Sequence, residues 1–344
     1  MRELSREPPI SRPSAAPSRP LFVFGCPRSG TSVLTLMLGR HPAIAIPYES
    51  HAYNRIYPIV RKHGEPRDPA GRARLIAAVL GSDYVRQWAP PPTLADTTAA
   101  MRRDDFHGIV EGMLAGWTAR QAKRRWGEKT PQHTLCWREI RSGFPDMQVV
   151  HLVRDGRDVA LSYRAAHFGP KHVYALAHRW VEYLEAAEAA GRELGVESFL
   201  TVRYEDLLRN PEAELRRVCI FLGEDYRPEM LAHHEGDIRY PTDARNEANL
   251  RRPLLSDNAG KWRAAMTPRE VRIFEAVAGA ALERYGYPLT VPGARVPAWE
   301  AWSCRMLEHP PRRLAAMLRN RQGRRLAWER LRLELLVRRL ASPA

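Results

Sequence analysis

The residues best suited to chemistry sit together in the stretch Gly25 to Ser32, GCPRSGTS. Arg28 supplies a cation, Ser29, Thr31 and Ser32 supply hydroxyl donors, and Pro27 stiffens the turn. Gly25 and Gly30 let backbone N–H groups approach a ligand closely. The apolar run Leu21 to Phe24 comes before and the apolar-rich segment Val33 to Leu38 after, which predicts strand, tight loop and helix. Such a helix aims its unsatisfied N–H groups and positive dipole end at the loop, so the expected ligand is an anion, phosphate or sulfate. The spacing from Gly25 to Gly30 matches the start of the nucleotide-triphosphate loop, but Thr31 stands where that pattern has Lys.

Other charge-handling residues lie at predicted turns. MQVVHLV, Met147 to Val153, reads as a central parallel strand and ends in RDGRD. Arg154 at that strand's end and Ser162 in the following helix are expected to meet one phosphate, with Asp158 as the helix cap. Glu49 follows the short strand Ala43 to Ile46, at a strand end, where α/β folds keep their chemistry. Lys129 lies on a non-helical corner between Trp126-Gly127 and Thr130-Pro131, and by itself reads first as a solvated partner of Glu128.

These residues need a frame to hold them. Apolar strands alternate with helices from residue 20 to 290, which predicts an α/β fold with a central parallel sheet flanked by helices. Long helices are expected from Lys171 to Leu194 and from Pro211 to Leu222, with a strand Ser198 to Val202 between them leading into Arg203-Tyr204. Residues 1–19, with Pro8, Pro9, Pro13 and Pro17, read as a disordered leader. Residues 291–344 read as a basic helical extension. In it Leu326, Trp328, Leu331, Leu333, Leu335, Leu336, Val337 and Leu340 alternate with Arg between Arg324 and Leu340, an amphipathic helix of broad apolar face. That helix is expected to pack on its own domain, on a second copy, or on a membrane surface.

The chain of 344 residues carries a net charge of +15, from 54 Lys and Arg against 39 Asp and Glu. Residues 305–344 hold eleven Arg and three Glu, a net of +8, leaving +7 for the rest. A modest excess there suits an anionic small ligand better than a nucleic-acid track. Four scattered cysteines suggest neither a zinc site nor a disulfide framework, and no cluster of metal-ligating residues is expected. No run reaches the ~18 apolar residues of a membrane-spanning helix, and a cytoplasmic protein is expected.

Three of these stretches together resemble the sulfotransferases that use 3′-phosphoadenosine 5′-phosphosulfate (PAPS), especially a bacterial branch similar to tyrosylprotein sulfotransferases. PRSGTS, Pro27 to Ser32, resembles the family's 5′-phosphosulfate loop. VRDGRDVALS resembles its 3′-phosphate motif, with Arg154 and Ser162, and VRYEDL its adenine strand, with Tyr204. The resemblance implies the P-loop-type three-layer fold, PAPS as co-substrate, a hydroxyl-bearing acceptor and no metal. It also implies that Lys129 in GEKTP reaches the transferring sulfuryl group beside Arg28, and that Glu49, twenty-one residues after Arg28, is the base. The cytosolic branch places a His base where this chain has Pro131; His133 is the runner-up base. NAGKWR, Asn258 to Arg263, resembles the segment that closes over the cofactor, which makes Lys261 a cofactor contact and Arg251 a further candidate. Two other readings stay open: a nucleotide kinase with Asp155 holding magnesium, and a non-enzymatic adaptor working through the basic C-terminus.

Overall fold

The computed structural model describes residues 19–341, apart from 67, 167, 236–247, 256 and 320. Of the expected leader, residues 1–19, all but Arg19 lie outside the described residues. Arg19 is anchored, donating to Asp146 O at 2.7 Å and to Ser198 Oγ at 2.5 Å.

Five strands form one sheet: β1 (Leu21–Phe24), β2 (Ile44–Ala45), β3 (Arg125–Glu128), β4 (Gln148–Val153) and β5 (Phe199–Arg203). Their order is β2-β3-β1-β4-β5, and every pairing is parallel. In register, Phe22 of β1 stands between Glu128 of β3 and Val149 of β4. Side chains alternate across the sheet, and both faces are buried. Phe22, Phe24, Trp126 and Val149 point into one core, while Leu21, Val23, Val150, Leu152 and Val202 point into the other.

The helices are α1 (Thr31–Gly39), α2 (Tyr57–His63), α3 (Pro69–Leu80), α4 (Leu94–Ala100), α5 (Phe106–Arg120), α6 (Trp137–Gly143), α7 (Gly156–Ala165) and α8 (Val173–Leu194). After them come α9 (Tyr204–Arg209), α10 (Pro211–Leu222), α11 (Pro268–Arg284), α12 (Ala298–Ser303), α13 (His309–Arg319) and α14 (Arg321–Ala341). Leu34 and Leu38 of α1 and Leu215 and Val218 of α10 cover one face of the sheet. Ile59 of α2, Leu75 of α3, Val110 of α5 and Ile140 of α6 cover the other. This is the expected three-layer α/β architecture with a helical C-terminal extension.

Two local expectations change, and α14 takes one of its expected placements. Residues Arg125–Glu128 are a strand, β3, not part of a corner; only four residues long and centred on Trp-Gly, it lacks an apolar run. Asp155, rather than Asp158, caps α7, accepting from Arg157 N at 2.9 Å. α14 packs on its own domain, burying Val337 completely beside Leu333 and Leu340, while Glu334 pairs with Lys62 at 2.6 Å.

Candidate functional site

Each strand delivers one candidate residue at its carboxyl end, where a parallel sheet opens toward ligands. β1 runs into the Gly25–Ser32 loop, β2 leads to Glu49, β3 to Lys129, β4 to Arg154 and β5 to Tyr204.

The loop is built around two close approaches. A Cβ at Gly25 would lie 2.7 Å from Leu152 O, and one at Gly30, where φ is +94°, would lie 2.4 Å from the Tyr204 ring. Glycine is therefore required at both positions. Arg28 adopts φ 76°, and its Nε donates to Ser162 Oγ at 2.9 Å. No side chain caps α1, so its first-turn N–H groups face the loop. Ser29 Oγ is buried without a hydrogen-bond partner among the described residues. A buried donor left in that state suits an anion's oxygen.

Glu49 and Lys129 meet above this loop. Lys129 Nζ donates to Glu49 Oε1 at 2.6 Å and to Ser32 Oγ at 3.5 Å. Lys129 is 1% exposed, so it is no solvated surface charge. The strand-end neighbours of this pair are clamped by Glu128. Its buried carboxylate accepts from Ser50 Oγ at 2.8 Å, Thr130 Oγ1 at 2.7 Å and His133 Nδ1 at 2.7 Å. Ser50 adjoins Glu49 and Thr130 adjoins Lys129, so one carboxylate sets the separation of the two chemical groups.

Burial alone raises the Glu49 carboxyl, but the Lys129 ammonium and the His51 ring outweigh it and bring its pKa to about 2. His51 is a member of the site that sequence reasoning missed. Its Nε2 lies 3.2 Å from Glu49 Oε2, and Nδ1 lies 3.2 Å from Asn54 Oδ1. Its backbone sits at φ 52°, and the ring lies 4.1 Å from that of Tyr84. The available signal was the Glu-x-His spacing on one loop. Burial pushes the His51 pKa down, against the pull of Glu49.

The second half of the site gathers around Arg154. Its Nη1 donates to Arg28 O at 3.3 Å, its Nη2 donates to Asn258 O at 2.7 Å, and its guanidinium stands 4.6 Å from the Tyr204 ring centre. Arg154 Nε is buried without a hydrogen-bond partner among the described residues. Arg154 thus ties the Arg28 loop to the Asn258 segment, and Ser162 is held by Arg28 rather than by Arg154. Asp158 accepts from Gly260 N at 2.6 Å and Trp262 N at 2.9 Å, and Asn258 Nδ2 donates to Tyr204 OH at 2.8 Å. The NAGKWR segment therefore closes against the Arg154 side of the site. Lys261 and Arg251 are both exposed, and Lys261 sits at the start of a single-turn helix, Trp262–Ala265.

Two rival assignments are corrected. His133 does not face the cleft as a base: Nδ1 is committed to Glu128, and Nε2 accepts from Tyr53 N at 3.1 Å. Asp155 is committed too, to the α7 cap, to Arg157 Nη2 at 2.8 Å and to Trp262 Nε1 at 3.1 Å. Away from the loop, His172, Cys304 and Glu308 place ligand-type atoms within 4.8 Å of one another, a grouping the cysteine spacing did not suggest. Glu308 there is paired with Arg269 at 2.9 Å. All four cysteines are free thiols.

A model of the sulfotransferase family matches residues 20–228. Protein-tyrosine sulfotransferase A of Caenorhabditis elegans is 22% identical over 276 residues, covering 78% of this chain and 67% of that protein. Protein-tyrosine sulfotransferase 2 of Gallus gallus is 24% identical over 253 residues, covering 70% and 62%. This chain therefore matches about two thirds of those relatives' length. Among solved structures, the sulfotransferase domain of the Synechococcus PCC 7002 olefin synthase is 25% identical, with a TM-score of 0.51, and covers 78% of this chain and 98% of that one.

Proposed function

This chain belongs to the sulfotransferase family, and from that premise we propose that it transfers a sulfuryl group from PAPS to an acceptor hydroxyl, with Glu49 as the base. The observation that carries the proposal is the Lys129–Glu49 contact at 2.6 Å, held beside Ser32 of the anion loop. A proton acceptor and a cation are thereby fixed beside the loop that would hold the sulfate-bearing end of a nucleotide.

PAPS, when bound, supplies the sulfuryl group and a leaving group that takes up negative charge. The residues present fit it. The N–H groups of the 27–32 loop, Arg28 and Ser29 would hold the 5′ end, Arg154 and Ser162 the 3′-phosphate, and Tyr204 the adenine. Thr31 and Ser32 add hydroxyl donors, Pro27 stiffens the turn, and Lys261 stands on the closing segment. Fixed donors aimed at developing charge commonly contribute several kcal/mol to a transition state.

Lys129 governs the base. Its ammonium has three donors, so it can serve an anion in the loop and Glu49 together. While Lys129 grips it, the Glu49 carboxylate is ionised but weakly basic, with a pKa of about 2. As Lys129 turns toward negative charge in the loop, Glu49 loses stabilisation and becomes a better proton acceptor. His51, bonded to the other oxygen, keeps the carboxylate oriented.

The acceptor is proposed as a class, hydroxyl-bearing molecules; the relatives' names add protein tyrosine to the candidates. The test is incubation of the purified chain with labelled PAPS and an extract of the source cell. Label should move to a new product with the wild type and not with Glu49→Gln. Label that moves equally with Glu49→Gln removes Glu49 from the mechanism.

A further inference from the structure

α12, a π-helical turn (Cys304–Glu308) and α13 form a helical rod whose faces are reversed from those of an ordinary surface helix. Its carboxylates face inward. Glu300 is 3% exposed and accepts from Arg272 Nη2 at 2.7 Å and Arg269 Nε at 2.9 Å. Glu308 accepts from Arg269 Nη2 at 2.9 Å and from His172 Nε2 at 3.2 Å. Its large apolar side chains face outward: Trp299, Trp302, Met306, Leu307 and Leu314 are all at least 58% exposed. Their spacing of three, seven, eight and fifteen residues from Trp299 puts them along one stripe. Turning that stripe onto the protein's own core would pull Glu300 and Glu308 off their arginines, so the ion pairs keep the apolar face outward.

The pattern continues into α14, where Trp328, Leu331 and Leu335 are exposed at spacings of three and four. Among the described residues, eight of the twelve exposed large hydrophobic side chains thus lie between Trp299 and Leu335, a concentration that scattered surface hydrophobics do not explain. The charge beside the stripe has one sign. Arg295, Arg305, Arg312 and Arg313 are exposed, whereas the two acids of residues 291–319, Glu300 and Glu308, are turned inward.

We propose that this face docks on an anionic lipid surface, with Trp299 and Trp302 in the headgroup layer and the arginines against lipid phosphates. Tryptophan with arginine, the apolar ring buried and the charge at the boundary, is the composition of an interfacial helix. A second copy of the chain fits less well, since two-fold pairing of this stripe would set arginines against arginines. No helix among the described residues is long and apolar enough to cross a membrane, so the contact lies in the plane of the surface.

Arg305 lines a cavity of about 440 Å³ with Tyr174, His178 and Arg179. Arg179 also lines a cavity of about 280 Å³ that reaches Asn54 and Gln132. Asn54 is the hydrogen-bond partner of His51. The two hollows share Arg179, and the second is lined by a residue hydrogen-bonded to His51.

The test is co-sedimentation of the full chain with vesicles of phosphatidylcholine alone or mixed with phosphatidylglycerol. Binding to the mixed vesicles should be stronger by at least about tenfold and should fall as salt rises. Trp299→Ser/Trp302→Ser and, separately, Arg312→Glu/Arg313→Glu should each lose about tenfold or more on the mixed vesicles while keeping the wild-type melting temperature. Should the tryptophan variant fail to fold, the arginine variant and the salt series on the wild type decide. Equal binding to both vesicle types, no binding to either, or unchanged binding by the folded variants overturns the proposal. So does a wild-type dimer, without vesicle binding, that the tryptophan variant splits into monomers.

Discussion

Replacing Glu49 with Gln separates two effects of one carboxylate. Gln keeps the size and a hydrogen-bond acceptor for Lys129 but neither the charge nor the capacity to take a proton. Lys129 is 1% exposed, so the variant leaves a buried ammonium without its counter-charge. In the folded protein the Glu49 pKa falls from 4.5 to about 2, which corresponds to about 3 kcal/mol in favour of the charged form. A folded-state pKa below the unfolded value stabilises above about pH 4.5, and that stability is lost as pH falls toward about 2. Urea unfolding should therefore show Glu49→Gln less stable by about 3 kcal/mol at neutral pH, with the gap narrowing below about pH 4.5. Adding Lys129→Met should recover part of the loss, because the stranded cation is then removed. Turnover in the labelled-PAPS assay should fall by about a hundredfold or more, with affinity for adenosine 3′,5′-bisphosphate close to wild type. Normal turnover, or a stability gap that does not change between neutral pH and about pH 3, would refute the assigned pairing and role.

Arg154→Ala should weaken adenosine 3′,5′-bisphosphate binding by about 2 to 3 kcal/mol in calorimetry, with little change for adenosine 5′-monophosphate. Gly30→Ala should cut bisphosphate affinity by more than about tenfold, since its Cβ meets the Tyr204 ring at 2.4 Å and the φ of +94° disfavours any side chain; unchanged affinity would show that the loop tolerates the shift. Transfer should persist in EDTA, because a singly charged sulfuryl group does not demand a divalent counter-ion; loss on chelation that magnesium restores would return a nucleotide kinase to the front.

What was legible in the sequence follows from where the signal is local. Leu21–Phe24 and Gln148–Val153 are uninterrupted apolar runs, so the two central strands and the loops after them could be placed from the chain alone. Glu49 and Lys129 carry no such signal. Their meeting depends on β3, a four-residue strand reading Arg-Trp-Gly-Glu, and on Glu128 clamping Ser50 and Thr130 from 78 and 2 residues away. The protein partners of Arg154, Arg28 O and Asn258 O, were not legible for the same reason. A βα turn shows which groups emerge, but the Asn258 segment that receives Arg154 and Asp158 arrives from about a hundred residues away. The C-terminal rod is amphipathic in sequence, yet its orientation is set by Arg269 and Arg272 on another helix. Periodicity alone would have turned the tryptophans inward.

The most direct measurement is calorimetric titration of the wild-type chain with adenosine 3′,5′-bisphosphate, adenosine 5′-monophosphate and ATP with magnesium. The bisphosphate should bind at least about a hundredfold more tightly than either of the others, as expected when Arg154 contributes charge-assisted hydrogen bonds to a 3′-phosphate. Equal affinity for the monophosphate would contradict the two-phosphate site, and tighter, magnesium-dependent binding of ATP would contradict sulfuryl transfer itself.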